Sequence, residues 1–461
     1  MVFSSIAFLF YFLPITLALY YVLPKRCRNI VLLIASLIFY AYGEPKYVLI
    51  MILSITFTYL YGILIDKFKK YSKLFLTLSI ITSIGLLVYF KYTNFIIENI
   101  NLWLSNKVDL INVILPIGIS FYTFQMLTYI IDLYKGEVRV QKNILKLGLY
   151  ITLFPQLIAG PIVRYQTIEE QLEKREHSFE KFALGIRRFI IGLGKKVLIA
   201  NLLGEVAEIF LNSNDKSVLF YWMYGISISL QIYFDFSGYS DMAIGLGKMF
   251  GFDFLENFNY PYIAESVTDF WRRWHISLST FFRDYVYIPL GGNRVNKIKW
   301  LRNIFIVWLL TGIWHGADWN FVIWGLYFGL ILILEKAFLG KILEKLPKYI
   351  SRIYVLLTVI ISFIIFSGEN ANQVFENLKG LIGYKNIPFI SAESIYYFKS
   401  YLIVLLVGII GSTPIMKNIF STQKLEKLTN IAEPVFLIGV LILSTSYIID
   451  GSFNPFLYFR F

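Results

Sequence analysis

The chain has 461 residues, of which 57% are hydrophobic and 16% charged, and its mean hydropathy is +0.63. A soluble domain carries about 25% charged residues, so this chain lacks the polar surface to cover itself in water, and so apolar a composition also excludes a disordered polymer. The net charge of +13 invites a nucleic-acid reading, but in a chain this apolar the basic residues mark cytoplasmic loops, and no nucleic-acid partner is expected.

The expectation is an all-α polytopic membrane protein with about 11–13 transmembrane helices at roughly 20 residues per span plus loops. Apolar runs of spanning length occur near Ser5–Leu23, Tyr47–Ile65, Lys73–Phe90, Ile111–Ile131 and Leu145–Val163. Asn29–Tyr42 is shorter and crosses only if tilted or in a thinned bilayer. Later runs fall near Phe189–Phe210, Val218–Phe234, Ile304–Trp314, Phe321–Leu334, Ile353–Phe366, Tyr401–Met416 and Val435–Ile449. The first run lacks a basic front end and leads into further spans, so no cleavable signal peptide is expected. Two runs are broken, at Leu115-Pro116-Ile117-Gly118 and at Phe154-Pro155-Gln156 with Ala159-Gly160-Pro161. Broken backbone at membrane depth is tolerated only inside protein or along a wet cavity. The middle of the chain therefore reads as a core around a cavity, with plainer helices at both ends. No linker or repeat divides the chain, and residues 1–461 read as one membrane domain.

Charge sets the direction of the spans. The first loop holds Lys25, Arg26 and Arg28, the third Lys67, Lys69, Lys70 and Lys73, and the fifth Lys135, Arg139, Lys142 and Lys146. The even loops between them are mixed or poor in basic residues. Odd loops therefore face the cytoplasm and the N-terminus lies outside. Farther along, Lys336, Lys341, Lys345, Lys348 and Arg352 mark a cytoplasmic loop, Ser367–Ser394 reads as external, and Lys417, Lys424 and Lys427 return the chain inside. The last span then runs outward and leaves Asp450–Phe461 external.

Few residues are equipped for chemistry. One cysteine, Cys27, and three histidines leave no room for an internal disulfide or a Cys/His metal cluster, and no metal is expected. His315 stands in Thr311-Gly312-Ile313-Trp314-His315-Gly316 between two apolar runs. A titratable side chain there is either a proton acceptor for a hydroxyl or thiol, or a structural hydrogen-bonder between helices. His275 lies in Trp271-Arg272-Arg273-Trp274-His275-Ile276-Ser277, followed by Phe282-Arg283-Asp284-Tyr285. Paired Arg and Trp along an apolar stripe suggest an amphipathic interfacial helix, for which a surface anchor is the plain account. His177, among Glu173-Lys174-Arg175-Glu176, reads as part of a solvated loop. Asp235, Tyr239 and Asp241 belong to a polar stretch, Tyr233–Asp241, which either lines the cavity or satisfies unwound backbone. The C-terminal Asn454-Pro455-Phe456-Leu457-Tyr458-Phe459-Arg460-Phe461 is too aromatic to stay in water. It is either an interfacial anchor or a means of delivering the Tyr458 hydroxyl.

Six motifs in chain order resemble the membrane-bound O-acyltransferase family, in the branch containing the alginate O-acetyltransferase membrane subunit. They are Leu115-Pro116-Ile117-Gly118-Ile119-Ser120-Phe121, Phe154-Pro155-Gln156-Leu157-Ile158-Ala159-Gly160-Pro161, the Tyr233–Asp241 stretch, Trp274-His275-Ile276-Ser277-Leu278-Ser279, Phe282–Arg294 and Trp314-His315-Gly316. The D-alanyl transferase of teichoic acid synthesis is a cousin, but the Ile288–Arg294 stretch and the last span resemble the acetyltransferase branch more. The resemblance implies a ring of helices, with re-entrant and interfacial helices, around a central funnel. It maps the family's active-site histidine onto His315 and a second characteristic histidine onto His275. Phe456-x-Tyr458-x-x-Phe461 resembles an acyl-carrying tyrosine motif, making 450–461 an external carrier-like tail.

The resemblance further implies transfer of an acetyl group from acetyl-CoA, as donor rather than bound cofactor, toward a hydroxyl of an extracellular or cell-wall polysaccharide. Arg272 and Arg283 would flank the donor's path, with Trp274, Asp284 and Trp314 beside it. Asp235, Tyr239 and Asp241 are further substrate-side candidates. The attacking hydroxyl would give its proton to His315. A tyrosyl ester at Tyr458 would stay reactive, since a phenol of pKa about 10 leaves better than an alkyl alcohol. An external acyltransferase partner would then receive the acetyl group. The implied location is a bacterial inner membrane, with membrane lipid around the chain and both termini outside. D-alanyl or other acyl transfer is the alternative within the family. A transporter is the alternative outside it, disfavoured by the lack of repeats and of paired charges within spans. A non-catalytic scaffold is a third.

Overall fold

A computed structural model describes residues 1–384, 386–420 and 426–451; Tyr458 and the rest of the carrier-like tail after residue 451 lie outside the described residues. All regular structure among the described residues is helical. Among the described residues, seven helices are long and apolar enough to cross a membrane: Lys25–Gly43, Pro45–Lys67, Lys69–Lys91, Trp319–Leu343, Lys348–Ser367, Ala392–Gly411 and Ile431–Asp450. Ala7–Val22 is a shorter apolar helix. The chain is thus an all-α, multi-pass membrane protein. Further helices, such as Ile119–Lys135 and Lys297–His315, carry more polar residues and fall outside that set.

The packing contacts of the described residues divide into two units, Met1–Phe189 with Tyr239–Leu255, and Ile190–Gly238 with the described residues from Glu256 onward. No linker betrays the division, because the continuous helices Phe179–Gly194 and Val218–Met249 each contribute residues to both units.

In the first unit the two broken runs are not simple spans. Asn143 starts the Ile144–Thr152 helix by accepting from the Leu145 and Lys146 amides. Only one further helical turn follows, Phe154–Leu157, and the whole stretch 151–163 is buried. The run near Ile111 becomes helical only at Ile119, because Gly118 adopts φ +75°, and a Cβ there would lie 2.7 Å from the Leu157 carbonyl oxygen. Residues 119–130 of that helix are all buried, as expected of a helix surrounded by protein rather than lipid. The irregular backbone at the second break is therefore shielded by protein, whereas at the first break only Pro116 is buried and Leu115, Ile117 and Gly118 are partly exposed. Phe3, Phe8, Phe39 and Phe154 form a buried aromatic knot, with centroids 4.9 Å apart for Phe3 and Phe8 and 5.6 Å for Phe39 and Phe154.

In the second unit, the Lys297–His315 and Trp319–Leu334 helices form a tight hairpin. Two glycines allow it. A Cβ on Gly312 would sit 2.4 Å from the Phe321 carbonyl oxygen, and one on Gly325 2.4 Å from that of Trp308. The hairpin's second helix continues into a π-helical turn, Glu335–Leu339. There the buried Glu335 carboxylate accepts from the Val267 amide at 2.6 Å, the Thr268 amide at 2.9 Å and the Thr268 hydroxyl at 2.8 Å. Together with Ser266, which accepts from the Asp269 amide, it satisfies the otherwise orphaned N-terminal donors of the Val267–Arg273 helix. That short helix leads directly to His275.

Candidate active site

His315 is the last residue of its helix, because Asp318 accepts from the Trp319 amide and begins the next one. The reversal is crowded: a Cβ on Gly316 would lie 2.1 Å from the Phe321 ring. His315 is 2% exposed. Its ring is met edge-on by Trp324 at 4.8 Å and Phe366 at 5.5 Å, with Trp314 at 5.0 Å. The imidazole thus sits in an aromatic box supplied by the hairpin and by the Lys348–Ser367 helix.

His275 is fully buried and precedes the Ile276–Phe282 helix at φ +42°, a left-handed conformation that is uncommon outside glycine and clusters at functional sites. Its ring packs edge-on against Phe236 at 4.6 Å and lies 6.0 Å from Trp314. The Trp314 indole therefore adjoins both histidines. Hydrogen bonding fixes the His275 tautomer. The Ser277 amide can only donate, and it does so to the Asn257 side-chain oxygen at 3.1 Å, which identifies that atom as the carbonyl oxygen. His275 Nδ1, 3.2 Å from the same oxygen, must then carry the hydrogen. Nε2 is left as the bare nitrogen, buried and with no hydrogen-bond partner among the described residues.

A cavity of about 200 Å³ opens in the same unit, walled by Trp271, Leu278, Phe282, Trp308 and Thr311, with Arg283 and Lys336 also lining it. Thr311 lies four residues before His315, so cavity and histidine are one helical turn apart along a single helix. Arg283 is exposed and pairs with Asp284 at 2.6 Å, while exposed Arg272 lies within electrostatic range of Lys336.

The remaining sequence candidates have other settings. Trp274 is buried against Phe270 at 5.5 Å and Phe363 at 5.4 Å. The Tyr233–Asp241 stretch is continuous helix, not unwound backbone. Within it Asp235 forms a buried ion pair with Lys196. Tyr239 and Asp241 belong to the first unit, where Tyr239 stacks on Phe3 at 4.6 Å and Asp241 pairs with Arg188 at 2.8 Å. His177 is half-buried rather than solvated, held at 2.9 Å by the Tyr20 hydroxyl. Sequence reasoning passed over Asn257, Thr311, Glu335 and the lining role of Lys336. Only Lys336 gave a signal, as a loop charge.

These motifs have known counterparts. The family model described as MBOAT, membrane-bound O-acyltransferase family, matches residues 137–375, a span that contains both histidines and the cavity. The chain is 42% identical over 377 residues to the probable alginate O-acetylase AlgI of Azotobacter vinelandii, covering 80% of this chain and 76% of that one. It is 36% identical over 425 residues to the peptidoglycan O-acetyltransferase of Helicobacter pylori, covering 84% and 81%. Against the teichoic acid D-alanyltransferase of Bacillus subtilis it is 30% identical over 279 residues, 56% of this chain and 70% of that one. With the box around His315, the fixed tautomer of His275 and a lined cavity one turn away, this match leaves one reading: the chain belongs to the membrane-bound O-acyltransferase family and is an O-acyltransferase.

Proposed function

We propose that the enzyme moves acetyl groups from cytoplasmic acetyl-CoA, across a bacterial inner membrane, toward hydroxyls of an extracellular or cell-wall polysaccharide. The names of its alginate- and peptidoglycan-acetylating relatives support the acyl group and the acceptor class. The observation that carries the reading is the cavity ending at Thr311, one turn from boxed His315. Its apolar walls suit a pantetheine arm, and Arg283, Lys336 and nearby Arg272 suit the nucleotide phosphates. Trp274 and Trp314 support the walls of this region, and Asp284 orients Arg283.

His315 acts as general base. It takes the proton of the attacking hydroxyl as the oxygen–carbonyl bond forms. The carbon–sulfur bond then breaks, and the thiolate of CoA leaves with that proton. Bare His275 Nε2 accepts a hydrogen bond from an amide N–H of the donor's pantetheine arm and so orients the donor, leaving the single proton of the attacking hydroxyl to His315. Tyr458 is the first acceptor, and its ester passes the acetyl group to an external acyltransferase partner. Both termini are external.

Inverted membrane vesicles supplied with radiolabelled acetyl-CoA test this. The expected result is an acetyl mass shift on the C-terminal peptide and label in polymer, with both lost in His315→Ala. Label that crosses the bilayer as intact acetyl-CoA, or full transfer by His315→Ala, would sink the reading. Full polymer transfer by Tyr458→Phe would remove only the carrier step.

A further inference from the structure

We propose that Arg28, Arg175 and His177 form a binding site for a phosphate group, supplied by the headgroup of an anionic phospholipid. The three residues meet in the first unit, where the Ala7–Val22 helix ends and the Lys25–Gly43 segment begins. Helix ends in a membrane protein fall at headgroup depth.

Two guanidinium groups share one ring. Arg28 Cζ lies 5.1 Å from the Tyr20 centroid and 5.6 Å from that of Tyr21. Arg175 Cζ lies 5.8 Å from the Tyr20 centroid and 4.5 Å from that of Phe252. Cation–π contacts of this kind hold a guanidinium but do not cancel its charge. Elsewhere in the unit, half-buried basic residues face carboxylates: Lys181 meets Asp253 at 2.6 Å, and Arg188 meets Asp241 at 2.8 Å. Among the described residues, neither Arg28 nor Arg175 has such a partner.

The hydrogen-bond directions show that the third member adds no compensating charge. Tyr20 donates its hydroxyl hydrogen to the Phe250 carbonyl oxygen at 2.8 Å. It therefore accepts from Arg175 Nε at 3.1 Å and from His177 Nε2 at 2.9 Å. With its hydrogen on Nε2, a neutral His177 accepts at Nδ1 from Arg28 Nη1, 3.3 Å away. Burial, then Arg28 and Arg175, keep His177 below its usual 6.5, which fits the neutral form. The cluster thus holds two fixed positive charges and no negative one.

Arg175 is held at all three of its nitrogens, its Nε by the Tyr20 hydroxyl, its Nη1 by the Gln171 carbonyl and its Nη2 by the Asn29 side chain. Arg28 is not. Its Nε has no hydrogen-bond partner, and its Nη2 has none among the described residues. The Nε is closed to solvent, so Nη2 is the group left to donate to a phosphate oxygen, in a charge-assisted hydrogen bond. Exposed Lys25 and Arg26 add long-range attraction to an anionic leaflet.

The test is thermal unfolding of the purified, detergent-solubilised full chain, titrated separately with short-chain phosphatidylglycerol, phosphatidylcholine of the same chain length, and inorganic phosphate. Phosphatidylglycerol should raise Tm in a saturable way, and Arg28→Gln should raise its half-saturating concentration by about tenfold or more. Arg28→Lys, which keeps the charge and loses the planar guanidinium held over Tyr20 and Tyr21, should fall between them; it serves alone if Arg28→Gln does not fold. An equal response to phosphatidylcholine, or an unchanged half-saturation in both variants, overturns the site. If inorganic phosphate reproduces the shift and displaces the lipid, a soluble phosphate replaces the lipid as the source.

Discussion

Three donors converge on the Asn257 side-chain oxygen: His275 Nδ1, the Ser277 amide and the Ser277 hydroxyl at 2.9 Å. Removing that oxygen leaves a buried amide unpaired and frees His275 to adopt the other tautomer, with its bare nitrogen turned away. Asn257→Ala should therefore lower kcat by roughly 10- to 100-fold, the usual cost of losing a group that orients a functional imidazole, with KM for the donor little changed. Ser277→Ala removes one hydroxyl donor and keeps the amide and the tautomer, so it should cost under about threefold. Steady-state kinetics of the two variants in vesicles check this, and equal losses would remove the tautomer argument. His315 was visible in the sequence, because an imidazole inside an apolar run is costly without a reason, and His275 only through the resemblance of its motif. Asn257 was not, because it stands 18 residues before His275 and only the fold brings the two together. His177 misled for the opposite reason. Its charged sequence neighbours suggest solvent, whereas its contacts are Tyr20, Tyr21 and Arg28 from a distant segment.

Helices were legible where lipid faces them and less so where protein does. The runs near Tyr47–Ile65, Lys73–Phe90 and Ile353–Phe366 correspond to the helices Val48–Lys67, Ser72–Lys91 and Lys348–Ser367. The run near Ile304–Trp314 is the apolar part of a longer helix, started at its polar end by Asn296, which accepts from the Lys299 amide. Hydropathy could not show how closely that helix approaches its neighbour. The approach rests on Gly312 and Gly325, and it sets where His315 stands. Alanine at either position places a Cβ 2.4 Å from a backbone oxygen that cannot rotate away. Gly312→Ala or Gly325→Ala should thus destabilise by about 1–3 kcal/mol as overpacked variants do, and displace His315 with a matching loss of transfer. Gly85 is the control: it sits in the Ser72–Lys91 helix with nothing within 4 Å of a built Cβ. There alanine should be neutral or stabilise by up to about 1 kcal/mol through helix propensity. Thermal unfolding in detergent separates the two cases. A stable Gly312→Ala protein with full activity would mean that the hairpin's closeness does not position the histidine.

At the scale of the whole molecule, the excess of basic residues becomes a statement about sidedness. The proposed donor path requires the Arg283 and Lys336 rim of the cavity to face the cytoplasm, since that is where acetyl-CoA is. By the charge rule the Lys336–Arg352 loop is expected on that side, and the Lys25–Arg28 loop with it. Composition and charge carried this much without a structure; they could not reveal that the contacts form two units, because two helices run unbroken through the division. Cys27, the single cysteine, lies in the first of these basic loops and is half-buried. A maleimide reagent that cannot cross membranes should therefore leave Cys27 unlabelled in intact spheroplasts and label it in inverted vesicles. In a Cys27→Ser background, Lys345→Cys should behave like Cys27, and Glu369→Cys, at an exposed position after the Lys348–Ser367 helix, should label from outside. Labelling of Cys27 and Lys345→Cys from outside would turn the cavity rim away from the cytoplasm. The aromatic box around His315 would remain, but a cytoplasmic thioester would have no route through this cavity, and the donor would have to be sought on the other face.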